Sequence, residues 1–210
     1  QLLREQAPSL AFDATAGLSL GEFTALAAAD ALGFEDGLRV VRRRGEVMQQ
    51  ACEASTGGMA AIVGLDEEAV RDVCGQAGVS LANLNCPGQI VISGDADKME
   101  AACDAAKAAG AKRAIPLPVA GAYHSPLMQL AQAGLAEALA KVELIEPSIP
   151  VYSNVTGQAH AAAGKIAATM VDQVTSPVKW EACIRAMIAD GITRFIELGP
   201  GKALSGFMRR

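Results

Sequence analysis

One five-residue segment of the chain has the composition expected of a catalytic serine turn. Gly17-Leu18-Ser19-Leu20-Gly21 fits the pattern G-x-S-x-G, and it follows a predicted strand and precedes a predicted helix. In that setting the serine stands over the helix N-terminus, where backbone N–H groups favour a developing oxyanion. The amide of Leu20 is the expected first donor. Because short patterns also arise by chance in a chain with 21 glycines, an ordinary turn is the alternative interpretation.

A serine hydroxyl is a weak nucleophile at neutral pH and needs a neighbouring base, and the chain contains two histidines. His160 lies in the small-residue segment GQAHA, which predicts an exposed loop. His124 lies where a predicted apolar strand ends and a helix starting at Ser125-Pro126 begins, the edge of a sheet where catalytic groups collect. His124 is therefore the better candidate base, and the alternative is a structural histidine bonded to nearby backbone.

The elements that must position these residues alternate between strands and helices. The first eight residues resemble the tail of a helix. Strands are predicted at 9–16, 59–63, 79–84, 89–93, 112–119, 147–153 and 193–198, and helices at 20–31, 34–50, 66–76, 95–109, 125–142, 170–174, 177–190 and after 201. We predict an α/β fold with an α/β-hydrolase-like parallel sheet core over 1–56 and 119–210. The order βαββαβ predicts an inserted ferredoxin-like subdomain over 57–118.

The composition is that of an ordinary globular protein, with 51% hydrophobic and 20% charged residues. No apolar run approaches the roughly 20 residues of a membrane span, and the start at Gln1 has no leader-like pattern, so we expect a cytoplasmic protein without a membrane partner. A net charge of −5 disfavours nucleic acid as a partner. Five scattered cysteines without a CxxC pair predict small buried side chains and argue against a disulfide framework or a zinc site.

Several further stretches, in order along the chain, resemble the malonyl-CoA:acyl-carrier-protein transacylase family. The similarity extends over essentially the whole chain. The matching stretches are GLSLGEFTAL, RRRGEVMQ, NCPGQIVISG, GAYHSPLM, SNVTG, VDQVTSPVKW and IELGPGKAL. Several ordered matches are far more specific than the serine turn alone. The resemblance implies an S-malonyltransferase of fatty acid or polyketide biosynthesis, which moves a malonyl group from malonyl-CoA to the phosphopantetheine thiol of acyl carrier protein. It implies no cofactor, and we expect a monomer.

The resemblance also implies roles for individual residues. Ser19 would carry the acyl group, and His124 would be its general base and later its acid. A backbone carbonyl at Asn154 would orient the imidazole. Arg44 would bind the free carboxylate of the malonyl group, and Gln173 would hydrogen-bond in the same pocket and help to hold the arginine.

Elementary chemistry supports an arginine in that role. A malonyl thioester keeps one ionised carboxylate, and burying that charge without a partner is prohibitive. A guanidinium offers a planar, bidentate match and stays protonated. The alternative for Arg44 is a solvated helix residue like its neighbours Arg42 and Arg43. The motif around Tyr123 resembles the one associated with malonyl and not with branched acyl units, since an aromatic before His124 narrows the pocket.

The chain departs from the family's pattern at two places. Leu18 stands where the family usually has histidine. The family's N-terminal segment, with a glycine-glutamine loop that supplies a second oxyanion donor, is expected to be absent, and the last helix to stop early. A loss of one such donor typically costs about 10²–10³ in rate.

Two rival functions stay open at this point. A serine esterase or lipase would share the serine turn. In those enzymes, however, the order along the chain is serine, acid and then a histidine near the C-terminus, whereas His124 lies in the middle of this chain. A non-catalytic carrier-docking fragment would fit the two departures from the family pattern. The chain could also be one domain of a larger synthase. The segment Gly199-Pro200-Gly201-Lys202 does not fit a P-loop, because Phe195 stands where the first glycine is required.

Overall fold

A computed structural model describes residues 5–6 and 10–209 of the chain. The helix tail predicted for the first eight residues lies mostly outside these ranges. The strands are β1 (Thr15–Ala16), β2 (Gly57–Val63), β3 (Ser80–Cys86), β4 (Gln89–Asp95), β5 (Arg113–Pro116) and β6 (Val151–Tyr152). The α-helices are α1 (Leu20–Ala28), α2 (Phe34–Glu53), α3 (Glu67–Ala77), α4 (Met99–Ala108), α5 (Gln129–Leu139), α6 (Ala163–Gln173), α7 (Trp180–Ala189) and α8 (Ala203–Phe207).

A short parallel sheet joins the two strands that end beside the serine turn. β1 pairs with β6, with Thr15 opposite Val151 and Ala16 opposite Tyr152. The predicted strands at 9–16 and 147–153 are therefore correct in place but too long. Because parallel strands end at the same edge of a sheet, the residues that follow β1 and β6 meet there.

The strand predicted at 193–198 is wrong. Residues 192–198 form no strand, and Leu198 is 65% exposed. A strand persists only when a neighbouring strand takes up its backbone N–H and C=O groups. Within residues 10–209, the parallel sheet has β1 and β6 as its members, and neither pairs with this segment.

A second, antiparallel sheet has the strand order β3-β4-β2-β5. Its elements follow the predicted order of strand, helix, two strands, helix and strand, because short apolar runs form β2 and β4 and tight turns separate the elements. α3 and α4 cover one face. The buried side chains between them and the sheet form an apolar cluster with Ile62 and Ile92 at its centre, both fully buried.

The main core lies among four helices of the other part of the chain. α1, α2, α5 and α6 contribute most of its buried side chains, including Phe23, Leu26, Leu135 and Met170. A 3₁₀ turn, Pro126–Met128, leads into α5 behind the predicted cap, where the Ser125 side chain accepts from the N–H of Leu127. All five cysteines are buried and free. Among the described residues, no helix is long and apolar enough to cross a membrane.

Candidate active site

The serine turn is a strained backbone element between β1 and α1. Ser19 has φ = 54°, a left-handed value that a non-glycine residue seldom adopts. A Cβ on Gly17 would lie 1.9 Å from the backbone oxygen of Gly21, so a side chain there has no room. A Cβ on Gly21 would meet nothing within 4 Å. The turn therefore requires glycine for steric reasons at the first position of the pattern but not at the second.

Ser19 and His124 meet although 105 positions separate them. The Ser19 Oγ lies 2.9 Å from His124 Nε2, and His124 Nδ1 lies 2.9 Å from the backbone oxygen of Gln173. A carbonyl oxygen only accepts hydrogen bonds, so Nδ1 carries the proton and the bare Nε2 accepts from the serine hydroxyl. His124 itself has φ = 59°, and this left-handed backbone turns the ring toward the serine.

The prediction that the backbone carbonyl of Asn154 orients the imidazole is wrong. That carbonyl accepts from the N–H of Lys179 at 2.8 Å, while the carbonyl of Gln173, the last residue of α6, faces the ring. The physical reason is local. Asn154 lies two residues after β6, and its carbonyl faces the residue that precedes α7, while its side chain is hydrogen-bonded to the serine turn.

The Asn154 side chain braces the serine turn at two points. Its Oδ1 accepts from the N–H of Ser19 at 2.6 Å, and its Nδ2 donates to the backbone oxygen of Gly17 at 2.8 Å. This fully buried amide therefore closes a bridge between the ends of the parallel strands. The Ser19 N–H is already hydrogen-bonded, so the N–H of Leu20, at the start of α1, is the donor that the turn leaves for an oxyanion.

Burial sets the protonation state of His124. The side chain is 4% exposed, and desolvation lowers its pKa from 6.5 to about 4. The hydrogen bond to the Gln173 carbonyl raises the pKa and the nearby charge of Arg44 lowers it, both by less than the burial does. The ring is therefore neutral at pH 7 and can accept a proton from Ser19.

Arg44 extends into the same site from the middle of α2. Its Nη2 donates to Ser19 Oγ at 2.9 Å and to Gln173 Oε1 at 3.3 Å. Its Nε is buried and has no hydrogen-bond partner within the described ranges. Nε and Nη2 form the edge of a guanidinium that binds a carboxylate side-on.

The surroundings keep Arg44 charged in spite of its burial. Arg44 is 6% exposed, and desolvation lowers its pKa to about 10, while the carboxylate of Glu22 raises it. The guanidinium also lies over the ring of Phe23, 5.7 Å from its centroid. A protonated donor group thus faces the serine hydroxyl at neutral pH.

The neighbours of Arg44 show why the sequence alone left its role open. The side chains of Arg42 and Arg43 are 83% and 40% exposed, and both pair with Glu46. Arg44 instead lies on the buried stripe of α2 with Val40 and Val47. A helical spacing of four and three residues from apolar positions is the signal that distinguishes the three arginines.

The sequence analysis did not identify two residues that are buried beside the site. Glu22 is fully buried, and its carboxylate contacts the side chains of Gln173 and His160. His160 lies in a loop, as predicted, but the expectation that it is exposed is wrong, because its side chain is 4% exposed. Glu22 stands three residues after Ser19 at the start of a helix, so it shares a helix face with the nucleophile, and that spacing could have indicated it.

The sequence belongs to the acyl transferase domain family, which it matches over residues 4–207. Two curated relatives are named malonyl CoA-acyl carrier protein transacylase. The one from Bacillus subtilis (strain 168) is 48% identical over 203 residues and covers 94% of this chain. The one from Escherichia coli (strain K12) is 43% identical over 199 residues and covers 93% of it. The chain spans 64% of the length of each of these relatives.

Solved structures have the same fold. A crystal structure of an acyl carrier protein S-malonyltransferase from Vibrio cholerae superposes with a TM-score of 0.95 at 42% identity, over 100% of this chain and 70% of that one. A type II polyketide acyl-carrier protein in complex with its malonyl-transacylase contains a chain that superposes with a TM-score of 0.95 at 38% identity, over 100% of this chain and 69% of that one.

Proposed function

We propose that the chain transfers a malonyl group from malonyl-CoA to the phosphopantetheine thiol of acyl carrier protein, through an ester on Ser19. One observation carries the proposal. The Ser19 hydroxyl is hydrogen-bonded both to the neutral ring of His124 and to the buried, charged guanidinium of Arg44. Few acyl groups other than a dicarboxylic half-thioester need such a guanidinium. The names of the relatives and their identities support the same activity.

In the first half-reaction, Ser19 Oγ attacks the thioester carbonyl while its proton passes to Nε2 of His124. The Gln173 carbonyl stabilises the imidazolium by accepting from Nδ1. The carbonyl oxygen becomes negative and accepts a hydrogen bond from the N–H of Leu20 at the start of α1. The carbon–sulfur bond then breaks, and the proton on His124 goes to the departing sulfur of coenzyme A.

The Arg44 guanidinium holds the carboxylate at the far end of the acyl group. The malonyl unit has one methylene between its two carbonyl carbons, so a carboxylate bound by Arg44 places the reacting carbon beside Ser19. Gln173 keeps the guanidinium in place through the Oε1 contact of 3.3 Å. This pairing offsets the cost of burying the carboxylate.

In the second half-reaction, the carrier's phosphopantetheine thiol attacks the ester carbon. His124 takes the thiol proton and returns it to Ser19 Oγ as the ester bond breaks. Acid–base and electrostatic groups of the chain supply every step, so we propose that no cofactor takes part.

We also propose the finer description of the fold, in which 57–118 is a ferredoxin-like subdomain inserted into an α/β-hydrolase-like core of 1–56 and 119–210. The strand order β3-β4-β2-β5 and the separate apolar cluster of that region support it. The monomeric state and the cytoplasmic location stay predictions from the sequence.

Intact-mass analysis tests the function directly. The chain mixed with malonyl-CoA is expected to gain one malonyl group, and added holo acyl carrier protein is expected to remove it. A Ser19→Ala variant is expected to gain nothing, whereas Ser205→Ala, on the short helix α8, is a matched control that keeps the adduct. Rapid hydrolysis of neutral nitrophenyl esters without transfer to a thiol would favour the esterase, and carrier binding without an adduct would favour the docking fragment.

A further inference from the structure

The carboxylate of Glu22 is a buried charge that the proposed chemistry does not use. It is fully buried and accepts three hydrogen bonds. Oε2 accepts from Gln173 Nε2 at 2.6 Å and from the N–H of Asn154 at 3.0 Å, and Oε1 lies 2.9 Å from Nε2 of His160. A buried carboxylate requires such donors, because an unpaired one is prohibitively costly.

His160 is fixed from the opposite side. Its backbone N–H donates to the oxygen of Val151 in β6 at 2.9 Å, and its neighbour Ala159 bridges to Tyr152. β6 therefore supports both groups that reach Glu22 from this side, because Asn154 lies two residues after the strand and His160 is hydrogen-bonded to it. The imidazole is held by the same short sheet that holds the serine turn.

We propose that His160 and Glu22 act together as positioning residues, which fix the Gln173 side chain and through it the directions of Arg44 and His124. Besides the nucleophile Ser19, Gln173 contacts both, since its Oε1 accepts from Arg44 and its backbone oxygen faces His124 Nδ1. Neither His160 nor Glu22 touches the reacting atoms.

The orientation of the Gln173 amide gives the physical reason. An amide can rotate by half a turn and exchange its oxygen and nitrogen at almost no cost in shape. In Gln173, Nε2 donates to Glu22 and to the backbone oxygen of Ser19 at 3.1 Å, which leaves Oε1 facing Arg44. A flipped amide would place an NH₂ group against a guanidinium, where two donors face each other.

The two histidines of the chain therefore donate from opposite ring nitrogens. His124 is protonated at Nδ1, because a backbone carbonyl faces that atom. His160 is protonated at Nε2, because a carboxylate oxygen faces that atom. A chain with two histidines gives two sets of ring signals in a nitrogen NMR spectrum, and any His160 variant leaves only those of His124.

Two variants of His160 separate positioning from packing. His160→Phe keeps a ring but cannot donate to Glu22, whereas His160→Gln places an amide N–H near the position of Nε2. We expect His160→Phe to lower the ratio of malonyl to acetyl loading about tenfold, the low end for loss of one charge-assisted hydrogen bond. His160→Gln is expected to restore the ratio to within about twofold of the parent chain. Glu22→Gln places an NH₂ group against the N–H groups that now donate to the carboxylate, and it is expected to act like His160→Phe. It tests the same positioning role if His160→Phe does not fold.

A second measurement separates this inference from the proposed function on which its selectivity readout rests. In ¹⁵N-histidine-labelled chain, we expect the Nδ1 and Nε2 signals of His124 to move in His160→Phe and to stay in place in His160→Gln. Unchanged loading ratios and unchanged His124 signals in His160→Phe and Glu22→Gln would overturn the positioning role. A parent chain that forms no malonyl adduct contradicts the proposed function, and the NMR spectra then still decide whether the pair positions His124.

Discussion

Two parts of the chain differ in the residues that adopt left-handed backbone. One part surrounds the parallel sheet, and the other, 57–118, contains the antiparallel sheet. Within 57–118, the described residues with positive φ are glycines: Gly64, Gly78, Gly88 and Gly110. Outside it, Ser19, Asp30 and His124 adopt positive φ with a side chain present. A glycine takes this conformation freely, whereas other residues need surrounding structure to hold them in it.

Buried polar groups divide in the same way. The buried polar side chains described within 57–118 are uncharged: Asn83, Asn85 and Ser93. Among the described residues, Glu22, Arg44 and His124 are buried, the His160 side chain is 4% exposed, and all four lie near the parallel sheet. Strained backbone and buried charge therefore coincide in one region. Both features cost stability and are typical of functional sites. The following predictions test whether the two regions separate in this way.

The largest expected effect is on the base. His124→Ala removes the proton acceptor of Ser19, and we expect the rate of malonyl loading to fall by about 10³–10⁴. Stopped-flow or quenched loading followed by mass analysis measures it. A loss below about tenfold would mean that another group accepts the proton.

Arg44→Ala is expected to act on selectivity. Removing one partner of a buried charged pair costs about 2–5 kcal/mol, so malonyl loading should fall and acetyl loading should not. Competition between malonyl-CoA and acetyl-CoA measures the ratio. Arg42→Ala, at an exposed position, and Arg43→Ala, at a half-buried one, are matched controls on the same helix, and an equal change in their ratios would remove the special role of Arg44.

Ile62→Ala tests the antiparallel sheet. The fully buried Ile62 lies at the centre of its apolar cluster, and truncation of such a side chain costs about 2–5 kcal/mol of unfolding free energy. Urea unfolding measures this loss. The malonyl-to-acetyl ratio of the folded variant should stay that of the parent chain, and a shifted ratio would show that the two regions are coupled.

The smallest expected effect is on the pH dependence of stability. The pKa of His124 is lowered from 6.5 to about 4 by burial, so the unfolded chain binds a proton that the folded chain does not in this interval. The unfolding free energy, relative to that of His124→Ala, should be constant above about pH 6.5 and decrease as the pH falls toward 4, by at most about 3 kcal/mol. A relative stability that rises on acidification would contradict the buried neutral ring.

The order of elements in the antiparallel region was predictable, and most of their boundaries were predicted to within a few residues, although β5, expected at 112–119, is the shorter Arg113–Pro116. β4 was expected at 89–93 and runs over Gln89–Asp95, and α3 was expected at 66–76 and runs over Glu67–Ala77. Short apolar runs bounded by glycine turns are local signals, and they suffice here. The length of β1 and β6, and the missing strand at 193–198, depend on pairing between distant segments, which local patterns do not contain.

The candidate site was predictable in its side chains and less so in its backbone. Ser19, His124, Arg44 and Gln173 meet as the sequence and the family resemblance suggested. The carbonyl that faces His124 was placed on the wrong residue, since every residue has a carbonyl and none carries a signal of its direction. His160 was misjudged because small neighbours resemble a loop in sequence, although they also allow close packing around a buried ring.

The bond between Arg44 Nη2 and Ser19 Oγ has a kinetic consequence for the proposed enzyme. In the resting site this contact draws electron density from the serine oxygen and so weakens it as a nucleophile. An acyl-CoA with a terminal carboxylate would compete with Ser19 for the Arg44 N–H, and the serine hydroxyl would then be bonded to His124 alone. Acetyl-CoA has no such carboxylate and would leave the Arg44–Ser19 contact in place. Discrimination between malonyl and acetyl thioesters would then arise partly from the rate of acylation, because the malonyl carboxylate increases the nucleophilicity of the Ser19 oxygen that attacks it.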